Sequence, residues 1–454
     1  MVAAISAFGY APPPSQPIDE PKVQMAERMI GADIPMNASA LADAMRNPNL
    51  NQAERDKIIH DLAQKGGGGQ LPFYANDASR IQPGQQSSLG DDQKTIANAV
   101  QQAYADGAIN ADDLVRIADV NRAGNGAQRF MDILMQGGTS HASGSAAEAL
   151  ANDLWARNGH GGADQAVAAM YYMSDPSQQA AHLGTADARQ HAFEALVNFN
   201  DTAFKKLDGV PPATVWKAEA LGAEGNLFMS DSQGLMDHYS TILPQSQGGG
   251  TKTEVLAKFL SQTVLNPDAQ GIALDHSRDL VPAVTAAIKS ASDTYLARAE
   301  QAPPGSLAQH VAMEQFGRMD SAISGAAALA LQNYNAKIQA NNESRQQFAD
   351  LVGTLVGKVV TAPAIPGVGN PAEKAGSLIA GKIFDILTTN PDKPAIQMAT
   401  ELHGQYQSRV DELRQKINQP DLLEEFITGY NELSDLQQKL RVDIGAQVAQ
   451  PGGN

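Results

Sequence analysis

The feature that most constrains this chain is helical periodicity. From Val23 onward, apolar residues recur at helical spacing in segment after segment, and alternating strand patterns are almost absent. Most segments end at Gly, Asn or Asp, and Pro282 is compatible only with the first turn of its helix. Aromatic residues make up only 5% of the chain, so the core must come from aliphatic residues and Ala, which favours packed helices. The sequence predicts an all-α fold, an irregular multi-helix bundle.

The C-terminal region shows this periodicity most clearly. Two apolar stripes are separated by NQPD at 418–421, where Pro420 suits the start of a second helix. We predict an antiparallel helical hairpin over 395–449, with Leu413 and Leu433 in its interior.

Breaks in composition divide the chain into segments. The range 66–90 is rich in Gly and Pro, and the long segment 306–339 is apolar on much of its surface and is predicted to be central. The predicted organisation is a disordered tail or export signal (1–20), N-terminal helices (21–65), a linker (66–90), a helical domain (91–208), a second helical domain (212–390) and the C-terminal hairpin (395–449).

The charge of the chain limits its partners. Lys and Arg number 33 against 50 Asp and Glu, for a formal charge of −17, and the positive residues form no cluster. Binding to phosphates needs concentrated positive charge, so no nucleic-acid partner is expected. An anionic membrane surface is disfavoured as a first contact. A protein partner or a chaperone fits this charge better.

The N-terminus and the absence of cysteine bear on localisation. MVAAISAFGYAPPPSQPIDEPK lacks a basic region before its weakly apolar residues, so it is a poor Sec signal peptide. It is either a disordered tail or an uncleaved export signal of the type III or type VI kind. Zero Cys excludes disulfides, thiolate metal sites and a Cys nucleophile, and suits export through a narrow channel. We expect secretion by a non-Sec route, with a cytoplasmic location as the alternative.

The apolar stretch 353–387 contains two arms around the turn-forming run PAIPGVGNP. A membrane-spanning helix needs about 20 apolar residues. Lys358, Lys382 and Asp385 interrupt the arms. The sequence therefore predicts a buried helical hairpin over 348–387, with insertion into a membrane as the alternative.

One loop has part of a metal-binding pattern. In ADVNRAGNGAQRF (118–130), Asp119 and Asn121 occupy EF-hand positions one and three. Position five is Ala123, and position twelve, which needs a bidentate Glu, is Phe130. The pattern favours a helix–helix turn, with Asp119 and Asn121 as weak metal candidates; no cofactor is indicated.

Two short segments, HAFE and LMDHYS, place an imidazole near a carboxylate. A third, DHSRD (275–279), is most simply a cap and first-turn acidic pair, with a catalytic carboxylate pair as the alternative. The weak catalytic candidates are His191, Glu194, Asp237, His238 and Asp275, in HAFE, LMDHYS and DHSRD. The sequence contains no HExxH, GxSxG or GxxxxGK[ST] motif, so zinc-protease, α/β-hydrolase and P-loop chemistry lack their minimum parts. Surface or packing roles are the simpler interpretation of these residues.

The range of about 225–390 resembles known modules. LFMSDSQGLMDHYS, TEVLAKFLSQTVLNP, FGRMDSAISGAAALALQNY and VGKVV…IPGVG…AGSLIAGKIFD are similar to helical modules of bacterial secreted polymorphic toxins. In those proteins the module precedes a toxin domain, whereas here a predicted hairpin follows. The Gly-rich, Cys-free, acidic composition also looks like that of harpins and exported effectors. The resemblance implies secretion and assigns no reaction.

These observations favour a non-enzymatic secreted bacterial effector, or a secretion-associated protein, that acts through protein contacts. Two alternatives stay open: a pore-forming or translocator protein that inserts 348–387, and an enzyme with an unfamiliar all-α active site. The sequence leaves the oligomeric state open.

Overall fold

The computed structural model describes ten ranges of the chain and three residues beyond them. The chain divides into two compact units, Met1–Gly184 and Thr185–Asn454. The division falls inside the range 91–208, which the sequence treats as one domain, because α10 (Ala186–Lys206) packs on the helices that follow it. The described residues are 17–31, 38–64, 86–119, 126–157, 162–206, 212–240, 252–274, 278–303, 305–359, 371–389, Pro394, Gln397 and Met398.

The first unit is helical throughout its described residues. Within it, α2 and α3 pack on α4, α5 packs on α6, and α7 packs on α8. Helix α4 begins at Gln86, inside the predicted linker 66–90. The helices are α1 (Glu20–Gly31), α2 (Ala38–Arg46), α3 (Gln52–Gln64), α4 (Gln86–Ala105), α5 (Ala111–Asp119), α6 (Gly126–Met135), α7 (Ala146–Ala156), α8 (Ala163–Met173) and α9 (Pro176–His182).

Reciprocal caps fix two helix starts in the first unit. Asn51 Oδ1 accepts from the Glu54 amide at 3.0 Å, and the Glu54 carboxylate accepts from the Asn51 amide at 2.8 Å. Asn110 and Asp113 repeat this exchange at the start of α5, with both distances 3.1 Å. Each pair satisfies two amides that a helix start leaves without partners.

The second unit is also helical. Its only strands among the described residues are a two-residue antiparallel pair, in which Ala273 pairs with Asp279 and Leu274 with Arg278. The elements are α10, α11 (Pro212–Ser230), α12 (Ser232–Tyr239), α13 (Lys252–Thr263), a 3₁₀ turn (Pro267–Ala269), β1 (Ala273–Leu274), β2 (Arg278–Asp279), α14 (Leu280–Gln301), α15 (Leu307–Ile338), α16 (Asn342–Val359) and α17 (Pro371–Thr389). The all-α prediction is confirmed, and Pro282 lies in the first turn of α14.

Helix α15 is central in the second unit, as predicted. Residues 312–331 are buried on every face of the helix, and α13, α14 and α16 pack against it. A second core lies between α10, α11, α12 and α13. There the ring of Phe193 lies 4.9 Å from that of Phe259 and 5.3 Å from that of Tyr239, and Phe228 lies 4.6 Å from Phe259.

Helices α16 and α17 pack on each other and bury Phe348, Val352, Ile383 and Leu387. This arrangement matches the described part of the hairpin predicted over 348–387. Within the described ranges, every helix is too short or too polar to cross a bilayer. Apart from Gln397 and Met398, the hairpin predicted over 395–449, with Leu413 and Leu433, lies outside the described residues.

Candidate functional site

The candidate site is a polar cluster where α10, α12 and α13 pack on one another and α15 packs on α13. We call it the His238 cluster; it comprises Asp187, Glu194, His238, Lys252 and Arg318. Two of its members, Glu194 and His238, are candidates from the sequence. Electrostatic interactions link all five residues through His238 and Lys252.

His238 is half-buried at the C-terminal end of α12. Burial and, to a smaller extent, the Lys252 cation lower the pKa of the imidazole, Asp187 opposes them, and together they place that pKa at about 4. The ring makes an edge contact with the Tyr239 ring, at 4.9 Å between centroids. His238 is therefore neutral at pH 7, and its pKa lies far below the range that suits a general base there.

Lys252 opens α13 and is also half-buried. Burial lowers the pKa of the ammonium group, the nearby Arg318 guanidinium adds to this effect, and the Glu194 carboxylate opposes it. Arg318 itself is buried and donates from Nε to Glu314 Oε1 at 2.6 Å. The two cations are thus balanced by carboxylates from α10 and α15.

Asp237 is adjacent to His238 in sequence but faces other residues. Its carboxylate accepts from Arg298 Nη1 at 3.0 and 3.1 Å and from Gln233 Nε2 at 2.7 Å. The charges that act on the imidazole of His238 are those of Lys252 and Asp187. The two neighbours therefore do not form an acid–base pair.

The remaining candidates are dispersed or lie outside the described residues. His191 is exposed on α10, whereas Glu194, one turn later, is half-buried and acts on Tyr239 and Lys252. Asp119 is the last residue of α5; Asn121 and Asp275 lie outside the described residues. In the part of the chain that the structure describes, no three His, Asp or Glu side chains form a group that could hold a metal ion.

The structure also shows a serine–histidine contact that the sequence analysis missed. His141 Nε2 lies 2.9 Å from Ser174 Oγ, and Ser174 Oγ donates to the Tyr171 carbonyl at 2.6 Å. Because the only hydroxyl proton of Ser174 goes to that carbonyl, His141 must donate to the serine. The imidazole thus holds the hydroxyl in place and cannot take its proton in this arrangement. No motif marks this pair, since its members are far apart in sequence.

Comparisons with known proteins identify neither a family nor a shared fold for this chain. No protein-family model matches the chain, and no curated protein matches it. A crystal structure of an engineered protein aligns over 91% of this chain and 98% of its own, with 13% identity and a TM-score of 0.22. A score this low does not indicate a shared fold. Function must therefore be argued from the residues.

Proposed function

We propose that the protein acts through protein contacts, as a secreted bacterial effector or a secretion-associated interaction protein, and that it is not an enzyme. The observation that carries this proposal is the outer face of α1. Met25 and Met29 lie one turn apart there and are 66% and 64% exposed. Exposed groups of large apolar side chains mark interaction sites, and methionine side chains adapt to the shape of a partner.

The inner face of α1 shows that this exposure is not a sign of a loose helix. Val23, Ala26 and Ile30 are buried on the side that faces the unit. Ile18, just before the helix, is 43% exposed. The helix is therefore anchored on one face and presents apolar side chains on the other.

The charged residues support the same proposal. Asp237 is engaged with Arg298, Glu194 is associated with Lys252, and His238 is kept neutral by its surroundings. These interactions stabilise contacts between helices. The acidic, cysteine-free composition is compatible with export through a narrow channel.

Site-specific photo-cross-linking tests the contact surface. A photoreactive residue at position 25 or 29 should give one discrete protein adduct, either in cells of the organism that encodes the protein or in cells exposed to the exported protein. The matched control is position 24, which is exposed on α1 but lies about 100° around the helix from position 25. Equal adducts at all three positions, or none at any, would contradict the proposal.

Two further measurements separate this proposal from its rivals. His238→Ala should leave the adduct and the biological effect unchanged, whereas an enzyme that uses this imidazole would lose its effect. Dye-loaded liposomes should remain intact with the protein at neutral and acidic pH; dye release would favour the pore-forming alternative. Export is tested by comparing culture supernatants of wild-type and secretion-deficient cells, where equal retention would refute it.

A further inference from the structure

A second polar pair lies deep in the second unit, apart from the His238 cluster. Glu224 on α11 and Asn200 on α10 are both completely buried. Asn200 Nδ2 donates to Glu224 Oε2. Gly225, next to Glu224, lies directly against Leu280: a Cβ there would approach Leu280 Cδ1 to 2.3 Å. The helix thus packs tightly at the residue next to Glu224, whose side chain is completely buried.

If Glu224 is ionised, each side chain of the pair has one acceptor oxygen without a hydrogen bond. Glu224 Oε1 and Asn200 Oδ1 are both buried and lack a hydrogen-bond partner. The amide oxygen can only accept a hydrogen bond, and the carboxyl oxygen can also only accept one while Glu224 is ionised. The two oxygens therefore cannot bond to each other in that state. Leaving two buried acceptors and a buried charge without partners is costly. One proton on Oε1 would allow the carboxyl group to donate to Asn200 Oδ1 and close a reciprocal acid–amide ring.

The charged neighbours favour the protonated form. Asp201, beside Asn200 on α10, is an acid and raises the pKa of Glu224 in addition to the larger effect of burial, while the Asn200 hydrogen bond opposes them. Together they place that pKa at about 8. On α13, Lys258 lies 3.1 Å from Glu254 and 3.8 Å from Asp201, and so is neutralised by other carboxylates, whereas the charges of Glu194 and Arg318 act on Lys252.

The other elements packed against α11 are α12, α14 and β1. On α12, the titratable group Asp237 pairs with Arg298, and the charge of Lys252 acts on His238. On α14 and β1, Leu280 and Leu274 cover the neighbouring residue of α11. These contacts leave the carboxyl group in an apolar setting with Asn200 as its hydrogen-bond partner.

We propose that Glu224 and Asn200 form a proton-binding site that joins α10 to α11, holds its proton at neutral pH and releases it on the alkaline side. The proton completes the acid–amide ring, and its loss leaves a buried carboxylate between the two helices. The site thus makes the α10–α11 contact sensitive to alkaline pH.

NMR of the wild-type protein with carboxyl-labelled glutamate tests this proposal directly, and a variant is needed only to assign the resonance. In the full-length protein with ¹³C at the glutamate side-chain carboxyls, one resonance should titrate above pH 7, well away from the rest. The Glu224→Gln variant should lack that resonance. The proposal is overturned if every glutamate resonance titrates below about pH 6.

The pH dependence of stability provides a second test. Gln at 224 can donate to Asn200 Oδ1 and accept from Nδ2, so this variant should fold with the ring preserved. A raised carboxyl pKa stabilises the fold fully below the ordinary value of 4.5, and this stabilisation is lost as pH rises towards about 8. The folding equilibrium constant of the wild type should fall, relative to Glu224→Gln, by up to tenfold per pH unit across that window.

The matched control is Glu343→Gln, which changes an exposed glutamate on α16 of the same unit. Its stability should run parallel to that of the wild type from about pH 5 to about pH 8. Parallel curves for the wild type and Glu224→Gln would refute the site. If Glu224→Gln does not fold, the carboxyl titration of the wild type decides.

Discussion

Arg298 Nη1 lies 3.0 Å from one oxygen of the Asp237 carboxylate and 3.1 Å from the other, and so joins α14 to α12. The guanidinium also lies 5.8 Å from the centroid of the Tyr295 ring on its own helix. This ion pair engages both oxygens of the Asp237 carboxylate. Its two side chains are partly exposed, which limits what the pair can contribute to stability.

Arg298→Ala should destabilise the protein only slightly, by about 0–1 kcal/mol, because exposed ion pairs are screened by solvent and salt. The effect should shrink at high salt. Urea unfolding at low and high ionic strength measures both. Lys289→Ala, at an exposed position of the same helix, is the control and should show no salt-dependent difference from the wild type.

Asp56, in the first unit, should make the stability of the fold depend on pH. Burial raises the pKa of this carboxyl group, a hydrogen bond from Gln52 Nε2 at 2.6 Å opposes this, and the Asp106 carboxylate adds to the increase; together they place the pKa at about 6. A raised carboxyl pKa stabilises the fold fully below the ordinary value of 3.8 and loses that contribution as pH rises towards about 6. Asp56→Asn should remove this fall in stability.

Urea unfolding of the full-length chain between about pH 4 and about pH 7 measures the Asp56 effect, since the expected change lies in this range. Asp43→Asn is the matched control, because Asp43 is exposed on α2. A wild-type curve that runs parallel to the curve of Asp56→Asn would contradict the prediction.

Asn110 is the cap of α5, and its replacement tests the reciprocal exchange with Asp113. Asn110→Ala removes the side-chain acceptor of the Asp113 amide and should destabilise the protein by about 0.5–2 kcal/mol. Asn110→Ser keeps an acceptor and should recover most of the loss. Thermal or urea unfolding distinguishes them; equal stability of the two variants would show that the cap contributes little.

The sequence predicted the helices well because the signals of a helix are local. Apolar spacing and caps act within a few residues, so the central position of 306–339 and the placement of Pro282 could be predicted from the sequence. The division between units was harder. LDGVPPAT at 207–214 is a stronger break than LGTAD at 183–187, yet α10 belongs with the helices after it. The helices on which α10 packs decide which unit it belongs to, and the residues of a turn do not reveal those packing partners.

The candidate site was less predictable for the same reason. Periodicity indicates which face of a helix is buried, but not which helix covers it. His238 was a candidate because Asp237 precedes it, whereas its neighbours in the fold are Lys252 and Asp187. The pair of Glu224 and Asn200 has no local pattern. Such long-range contacts depend on the register between helices, which a single sequence does not reveal.

Two glycines of α11 give a matched test of this register. A Cβ at Gly222 would meet nothing within 4 Å, whereas one at Gly225 would lie 2.3 Å from Leu280 Cδ1 and 3.0 Å from Leu274 Cδ2. Both leucines are completely buried, so they have little room to move. Ala is favoured over Gly inside a helix by about 0.5–1 kcal/mol. Gly222→Ala should therefore stabilise the protein by about that amount.

Gly225→Ala gains the same helix propensity but must displace two buried side chains. Overpacking of a core typically costs about 1–3 kcal/mol, so the net effect should be destabilising. Urea unfolding of both variants measures the difference. Adding Leu280→Ala should cost less in the Gly225→Ala background than in the wild type, because the shortened side chain removes the clash. If the two glycine variants are equally stable, or the leucine change is simply additive, α11 does not pack on Leu280 in the way described.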